Sequence, residues 1–187
     1  IKGVMENLEA SVKGDKLARK KMHDSSTIAG LAFANAFLGI THSLAHKMGG
    51  AFDLPHGLVI AIALPQVIRF NAKRPTKLAM WPHYEDYRAD KDYAAIARFL
   101  GLKGDTTEEL VEAYVQKIIE LAHKCGVTLS LKANGVKRED FDKVVDQLAV
   151  LAYEDQCTTA NPVEPLVSQL KELLERCYEG TGVETEE

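Results

Sequence analysis

Apolar positions along the chain recur at helical spacing from one end to the other. Val4, Met5, Leu8 and Val12 fall three or four residues apart and predict an amphipathic helix that stops near Gly14. Asp15 is placed to cap the next helix. From Lys16 to about Met48 runs a long, alanine-rich stretch whose internal breakers are Gly30 and Gly39. Its middle, Ile28 to Ile40, is apolar on nearly every face, which predicts a central buried helix. Gly49 and Gly50 are expected to end it, with 51–55 as a short loop. Pro55 then stands where a first helical turn accepts proline, opening a helix that reaches about Asn71.

Between Ala72 and Asp90 the pattern breaks. Pro75, Trp81, Pro82 and a dense set of charges predict an irregular connection with a short helical turn. Beyond it, Lys91 to Leu100, Thr107 to Cys125, Lys137 to Tyr153 and Glu164 to Tyr178 each carry a 3.6-residue apolar period. Gly101, Gly126 and Gly180 follow three of these as C-terminal stops. Thr106 or Thr107 opens a capping pattern with Glu109. Val127 to Leu131 is the one strand candidate and is read as a loop. The pattern gives an all-α domain of about seven or eight helices over residues 1–180, followed by a loose acidic tail, 181–187.

Composition narrows the function classes. A chain of 187 residues with 46% hydrophobic and 27% charged residues is ordinary globular material, which excludes disordered and coiled-coil classes. A net charge of −4 and a pI near 5.9 leave no concentrated basic stripe, so a nucleic-acid partner is not expected. Positions 1–10 carry charges throughout and do not read as a secretory signal. No run approaches the roughly 18 to 20 apolar residues of a membrane span. The longest, Gly57 to Gln66, contains Pro65 and reads as a buried helix, so no membrane partner is expected. Cys125, Cys157 and Cys177 have no metal or disulfide spacing and read as structural thiols of a reducing cytoplasm. The first residue is Ile1 and not methionine, as expected of a processed chain or a piece of a longer one. There is no glycine-rich turn between a strand and a helix for a dinucleotide or nucleoside triphosphate, and no nucleophile elbow.

The chemistry concentrates in one segment. Three of the six histidines, His42, His46 and His56, fall within fifteen residues, across the end of the most apolar helix and the start of the next. His42 and His46 are four apart and share a helical face. The glycines that follow let the chain turn so that His56 returns to the same point. Imidazole suits zinc, iron, copper or nickel, so the residues alone leave the metal open. The pattern is not that of a His-Glu-x-x-His protease, because Ser43 stands where the glutamate would be. His23, His83 and His123 lie in polar settings and read as solvated. Asp53, in the loop, reads as a capping residue. Three histidines leave a catalytic metal short of ligands, so the remainder must come from outside this sequence.

The stretch Ala32 to Gly49, with Leu54-Pro-His56-Gly-Leu and Val67-Ile-Arg-Phe-Asn71, resembles the iron-containing, group III alcohol dehydrogenases. Tyr153-Glu-Asp-Gln-Cys-Thr-Thr-Ala-Asn-Pro162 is similar to the alcohol-dehydrogenase end of the bifunctional aldehyde–alcohol dehydrogenases. The resemblance covers essentially the whole chain. It implies the helical C-terminal domain of a two-domain enzyme, a dehydroquinate synthase-like helical domain preceded by an NAD-binding α/β domain. The metal is usually ferrous iron and sometimes zinc, held by one aspartate and three histidines, of which two match His42 and His56. His46 matches a histidine off the metal that faces nicotinamide and substrate and relays a proton. Phe33 matches an aromatic residue beside the nicotinamide, with Phe37 and Leu38 as apolar neighbours. The remaining ligands lie in an Asp-x-x-x-His pattern that this sequence lacks.

The resemblance therefore implies reduction of acetaldehyde or another short aldehyde by an NAD-dependent, iron-dependent enzyme. Its partners are an N-terminal NAD-binding domain and, in the full-length protein, further copies in an oligomer or filament; alone, this chain is expected to be inactive. Two rival readings stand beside it. One is a stand-alone group III enzyme for a longer alcohol or a diol. The other is a helical assembly module in which the histidines are vestigial.

Overall fold

A computed structural model describes residues 1–75 and 87–181. Among the described residues the chain forms eight α-helices and one 3-10 turn, and no strand. The helices are α1 (Lys2–Val12), α2 (Lys16–Ala36), α3 (Ile40–Phe52), α4 (His56–Asn71), α5 (Ala89–Phe99), α6 (Thr107–Lys124), α7 (Arg138–Tyr153) and α8 (Val167–Glu179). The 3-10 turn, Gln156–Ala160, lies between α7 and α8. No single helix is long and apolar enough to cross a membrane. The expected irregular turn at Trp81 and Pro82, the solvated His83 and the tail from 182 onward fall outside the described residues.

Local signals set most boundaries. Asp15 accepts a hydrogen bond from the Ala18 N–H and caps α2. Thr106 and Glu109 form a reciprocal capping box at the start of α6: Thr106 Oγ1 accepts from the Glu109 N–H at 3.1 Å, and the Glu109 carboxylate accepts from the Thr106 N–H at 3.3 Å. Gly101, Gly126 and Gly180 take positive φ just past α5, α6 and α8. Pro55 immediately precedes α4, so His56 is its first residue. Residues 127–131 are a loop, as expected, held by backbone bonds from Leu131 and Lys132 to the carbonyls of Cys177 and Tyr178.

The core forms where α3, α4, α6, α7 and α8 meet. Ile40, Leu44 and Met48 of α3 interleave with Val59 and Ile62 of α4, Val115 of α6, Phe141 of α7 and Leu170 and Leu174 of α8. All of these are fully enclosed or nearly so. The Phe141 ring lies 4.7 Å from that of Tyr178, and the Arg138 guanidinium covers both.

Two expectations about the Lys16 to Met48 stretch are corrected. It is not one helix: α2 and α3 meet at a bend of 109° across 37–39. Phe37 there takes φ 62°, ψ −169°, a conformation otherwise kept for glycine, and Gly39 starts α3 from extended backbone. Nor is the Ile28 to Ile40 segment buried throughout. Ile40 is enclosed, but Ile28, Leu31, Phe33 and Phe37 are half to two-thirds exposed, and Ala18 is the only buried residue of α2. The physical reason is that α2 packs chiefly on α1, leaving the second half of its apolar surface without a facing element among the described residues.

A third correction concerns Gly49 and Gly50, which do not end α3. The helix runs through them to Phe52 and stops at Asp53, whose left-handed φ of 52° closes it with a backbone bond to Gly49. Asp53 therefore caps through its backbone conformation. The last helix also starts later than its apolar period suggested, at Val167, because residues 161–166 form a non-helical connection with bends at 162 and 163.

A buried amide network locks α3 onto α4. Asn161 Oδ1 accepts from the Ile40 N–H at 3.3 Å and from Asn71 Nδ2 at 3.2 Å. Asn161 Nδ2 donates to Asn71 Oδ1 at 2.7 Å and to the Val163 carbonyl at 2.6 Å. The start of α3, the end of α4 and the turn before α8 thus share one side chain that is 2% exposed. Gly39 is needed beside it, since an added Cβ would stand 2.7 Å from Asn161 Oδ1.

Asn161→Ala is expected to destabilise the fold by about 1–3 kcal/mol for each buried group it leaves unpaired. Gly39→Ala should destabilise it in the same direction by displacing that amide. Thr106→Ala, at the exposed capping box, should cost only about 1 kcal/mol. Urea unfolding monitored by far-ultraviolet circular dichroism ranks the three, and a Thr106→Ala loss as large as that of Asn161→Ala would contradict the ranking.

Candidate metal centre

The three imidazoles converge as the spacing required. His42 and His46 sit one turn apart on α3, and His56 opens α4 beyond the Asp53 stop. Ring centroids are 5.5 Å apart for His42 and His56, 5.7 Å for His46 and His56, and 6.0 Å for His42 and His46. The cluster faces outward: His42 is half-buried, and His46 and His56 are exposed. Burial, followed by the proximity of His56 and His46, pushes the His42 imidazolium toward losing its proton, which favours the neutral ring that binds a metal.

The backbone under the cluster is held from the far end of the chain. The Thr158 hydroxyl meets Ser43 Oγ at 2.8 Å and donates to the Ala152 carbonyl at 2.7 Å. Ser43 is fully buried. It therefore faces inward from α3 and fastens the helix, while His42 and His46 face out.

Asp155 joins the cluster from the residue before the 3-10 turn. Its side chain is 8% exposed, and Oδ2 lies 2.9 Å from Lys47 Nζ and 3.2 Å from His46 Nδ1. Oδ1 accepts from the Cys157 N–H at 2.9 Å. Burial opposes its charge, but the Cys157 backbone, Lys47 and His46 outweigh that and hold the carboxyl well below the usual carboxylate range. Cys157 is buried, and its burial together with the adjacent Asp155 carboxylate pushes its thiol up, keeping it protonated.

Among the described residues, one set of three ligand-type side chains has its donor atoms within 4.8 Å of one another: His46, Asp155 and Cys157. A cation is already there, because the Lys47 ammonium sits on the Asp155 oxygen, and a protonated thiol is a poor ligand. Among the described residues, no ammonium or guanidinium group pairs with His42 or His56. They suit a borderline ion such as ferrous iron or zinc, with further ligands supplied from elsewhere.

Phe33 and Phe37 stand half-exposed on the other side of the α2–α3 bend and make no ring contact with the imidazoles among the described residues. His23 is exposed on α2 and His123 half-buried on α6, both away from the cluster. Asp155 and Lys47 are the functional candidates that sequence reasoning did not single out. The signal for Asp155 lay in the Asp-Gln-Cys-Thr-Thr-Ala-Asn-Pro stretch, read for its resemblance and not for its chemistry.

Comparison with known proteins places the chain in a family. Residues 1–178 match the family model described as the Fe-containing alcohol dehydrogenase family, C-terminal. An aldehyde-alcohol dehydrogenase of Streptococcus pneumoniae is 51% identical over 181 residues, covering 96% of this chain and 20% of that protein. An NADPH-dependent butanol dehydrogenase of Clostridium saccharobutylicum is 40% identical over 184 residues, covering 98% of this chain and 44% of that protein. The solved structure of an iron-containing alcohol dehydrogenase from Thermococcus thioreducens superposes with a TM-score of 0.79 at 38% identity, over 97% of this chain and 42% of that one. The chain thus spans about a fifth of the length of the aldehyde-alcohol dehydrogenase it matches and under half of the single dehydrogenases. By sequence and by fold, the chain belongs to the Fe-containing alcohol dehydrogenase family and corresponds to its C-terminal, helical part.

Proposed function

We propose that residues 1–180 act as the helical, metal-binding domain of an alcohol dehydrogenase that interconverts a short aldehyde such as acetaldehyde with its alcohol, using NAD(H). The observation that carries this reading is the convergence of His42, His46 and His56 at the α3–α4 junction, in a chain that belongs to an iron-dependent family. His42 and His56 would hold the ion. When bound, that ion supplies Lewis-acid polarisation of the carbonyl oxygen.

The chain's own groups supply position and a proton path. His46 stands beside the two ligand histidines, and Asp155 engages its Nδ1, so its other nitrogen is free to exchange a proton with substrate oxygen. Phe33, with Phe37 and Leu38, would form an apolar wall against the nicotinamide and exclude water from the hydride path. The exposure of Ile28, Leu31, Phe33 and Phe37 along α2 supports an NAD-binding domain of the same polypeptide as the surface that covers them. That domain would bring the missing metal ligands. The higher identity to the aldehyde-alcohol dehydrogenase than to the butanol dehydrogenase favours the bifunctional branch, and hence a short aldehyde, over a stand-alone enzyme for a longer alcohol.

Two outcomes follow. This chain alone, given ferrous iron, NADH and acetaldehyde under anaerobic conditions, should show no turnover by loss of NADH absorbance; robust turnover would overturn the division of labour. His56→Ala should weaken metal binding in a calorimetric titration by at least the roughly 10- to 100-fold that loss of even an outer-shell partner costs. Unchanged affinity would favour the reading of this domain as an assembly module with vestigial histidines.

A further inference from the structure

The His46 side chain is held by a group 109 residues away in sequence. Asp155 lies between the end of α7 and the 3-10 turn, and its carboxylate is almost enclosed. Each of its oxygens has a donor independent of His46: Oδ1 the Cys157 N–H at 2.9 Å, Oδ2 the Lys47 ammonium at 2.9 Å. The carboxylate is therefore fixed before the imidazole is considered. With the Lys47 ammonium and the Cys157 N–H on its oxygens it is an ionised carboxylate, which can only accept. A contact of 3.2 Å between Oδ2 and His46 Nδ1 then requires the hydrogen to sit on Nδ1. A neutral imidazole has one N–H, so Nε2 is left bare.

We infer that Asp155 is a positioning residue that sets the tautomer of His46, keeping Nδ1 protonated and presenting Nε2 as the free proton acceptor of the cluster. This rests on the reading of His46 as the group that exchanges a proton with substrate. Lys47 has a separate part: it pins the carboxylate, and it occupies the point at which a cation would otherwise bridge His46, Asp155 and Cys157. The wider fold supports the arrangement, since the turn that begins at Asp155 also fastens Ser43 through Thr158 and the start of α3 through Asn161. The segments carrying Asp155 and His46 are thus tied together at neighbouring residues as well as through those two side chains.

The test reads the ring nitrogens of His46 directly, by proton–nitrogen correlation spectra of the chain under conditions where the ring is neutral. The wild-type ring should be the Nδ1–H tautomer; an Nε2–H ring in the wild type would overturn the inference without any variant. Asp155→Asn, whose amide can donate to Nδ1, should move the ring toward Nε2–H. Lys47→Met should leave the Nδ1–H form in place, and a switch there would also count against Asp155 as the determinant. Zinc bound through His46 and Cys157 in the wild type would overturn it as well.

In the iron-loaded dehydrogenase that contains this chain, Asp155→Asn should lower kcat by about tenfold or more with little change in the KM for aldehyde. Asp155→Glu should recover part of that loss. The two readings fail separately. If His46→Gln leaves kcat intact while the tautomer results hold, the proton-transfer role of His46 falls and the positioning inference stands. If His46→Gln abolishes turnover but Asp155→Asn changes neither tautomer nor kcat, the positioning inference falls alone.

Discussion

The structure depends on one buried amide pair. Asn71 and Asn161 bond to each other in both directions, and Asn161 also takes the first N–H of α3. An enclosed amide is costly unless nearly all its donors and acceptors are paired, so its partners have little freedom to move. Here those partners are the helix bearing His42 and His46, the helix opened by His56, and the turn headed by Asp155. That joint fixes the start of α3 and the end of α4, the two helices that carry the three imidazoles. Gly39 belongs to the same constraint, because anything larger would press on the amide.

The cluster is accordingly built on a rigid base and left open above. Ser43, Leu44 and Met48 face the core from α3, while His42 and His46 face outward. The open side continues along the second half of α2, where Ile28, Leu31, Phe33 and Phe37 remain exposed. Apolar side chains of that size in one helix segment form the kind of exposed patch that suits an interaction surface. A half-open site beside an uncovered apolar helix fits a domain whose substrate and cofactor lie between it and a second body. Under the proposed function, this domain would supply metal and proton, and the other the nucleotide.

Much of this was legible in the sequence because the signals are local. The 3.6-residue periods gave the helices, Thr106 with Glu109 gave a capping box, and the spacing of His42, His46 and His56 gave the cluster. What was not legible required knowledge of distant partners. The all-round apolar pattern of Ile28 to Ile40 reads as burial, yet among the described residues no helix packs over Ile28, Leu31, Phe33 and Phe37. Gly49 and Gly50 read as a stop, yet helical packing carried the chain through them, and Asp53 closed it in a left-handed conformation that aspartate tolerates. Asp155 gave no local sign of its contact with His46, because the contact is made by the fold.

The central claim is that His42 and His56 are the metal-binding pair, while His46, with Asp155 on its Nδ1, keeps its Nε2 for proton exchange. Zinc titration of this chain, followed through the ring nitrogens of all three histidines, tests it most directly. The account predicts that one nitrogen each of His42 and His56 shifts on binding, while His46 retains its Nδ1–H and its Nε2 keeps the shift of an uncoordinated nitrogen. Coordination through His46 together with Cys157, leaving His42 and His56 unchanged, would contradict it.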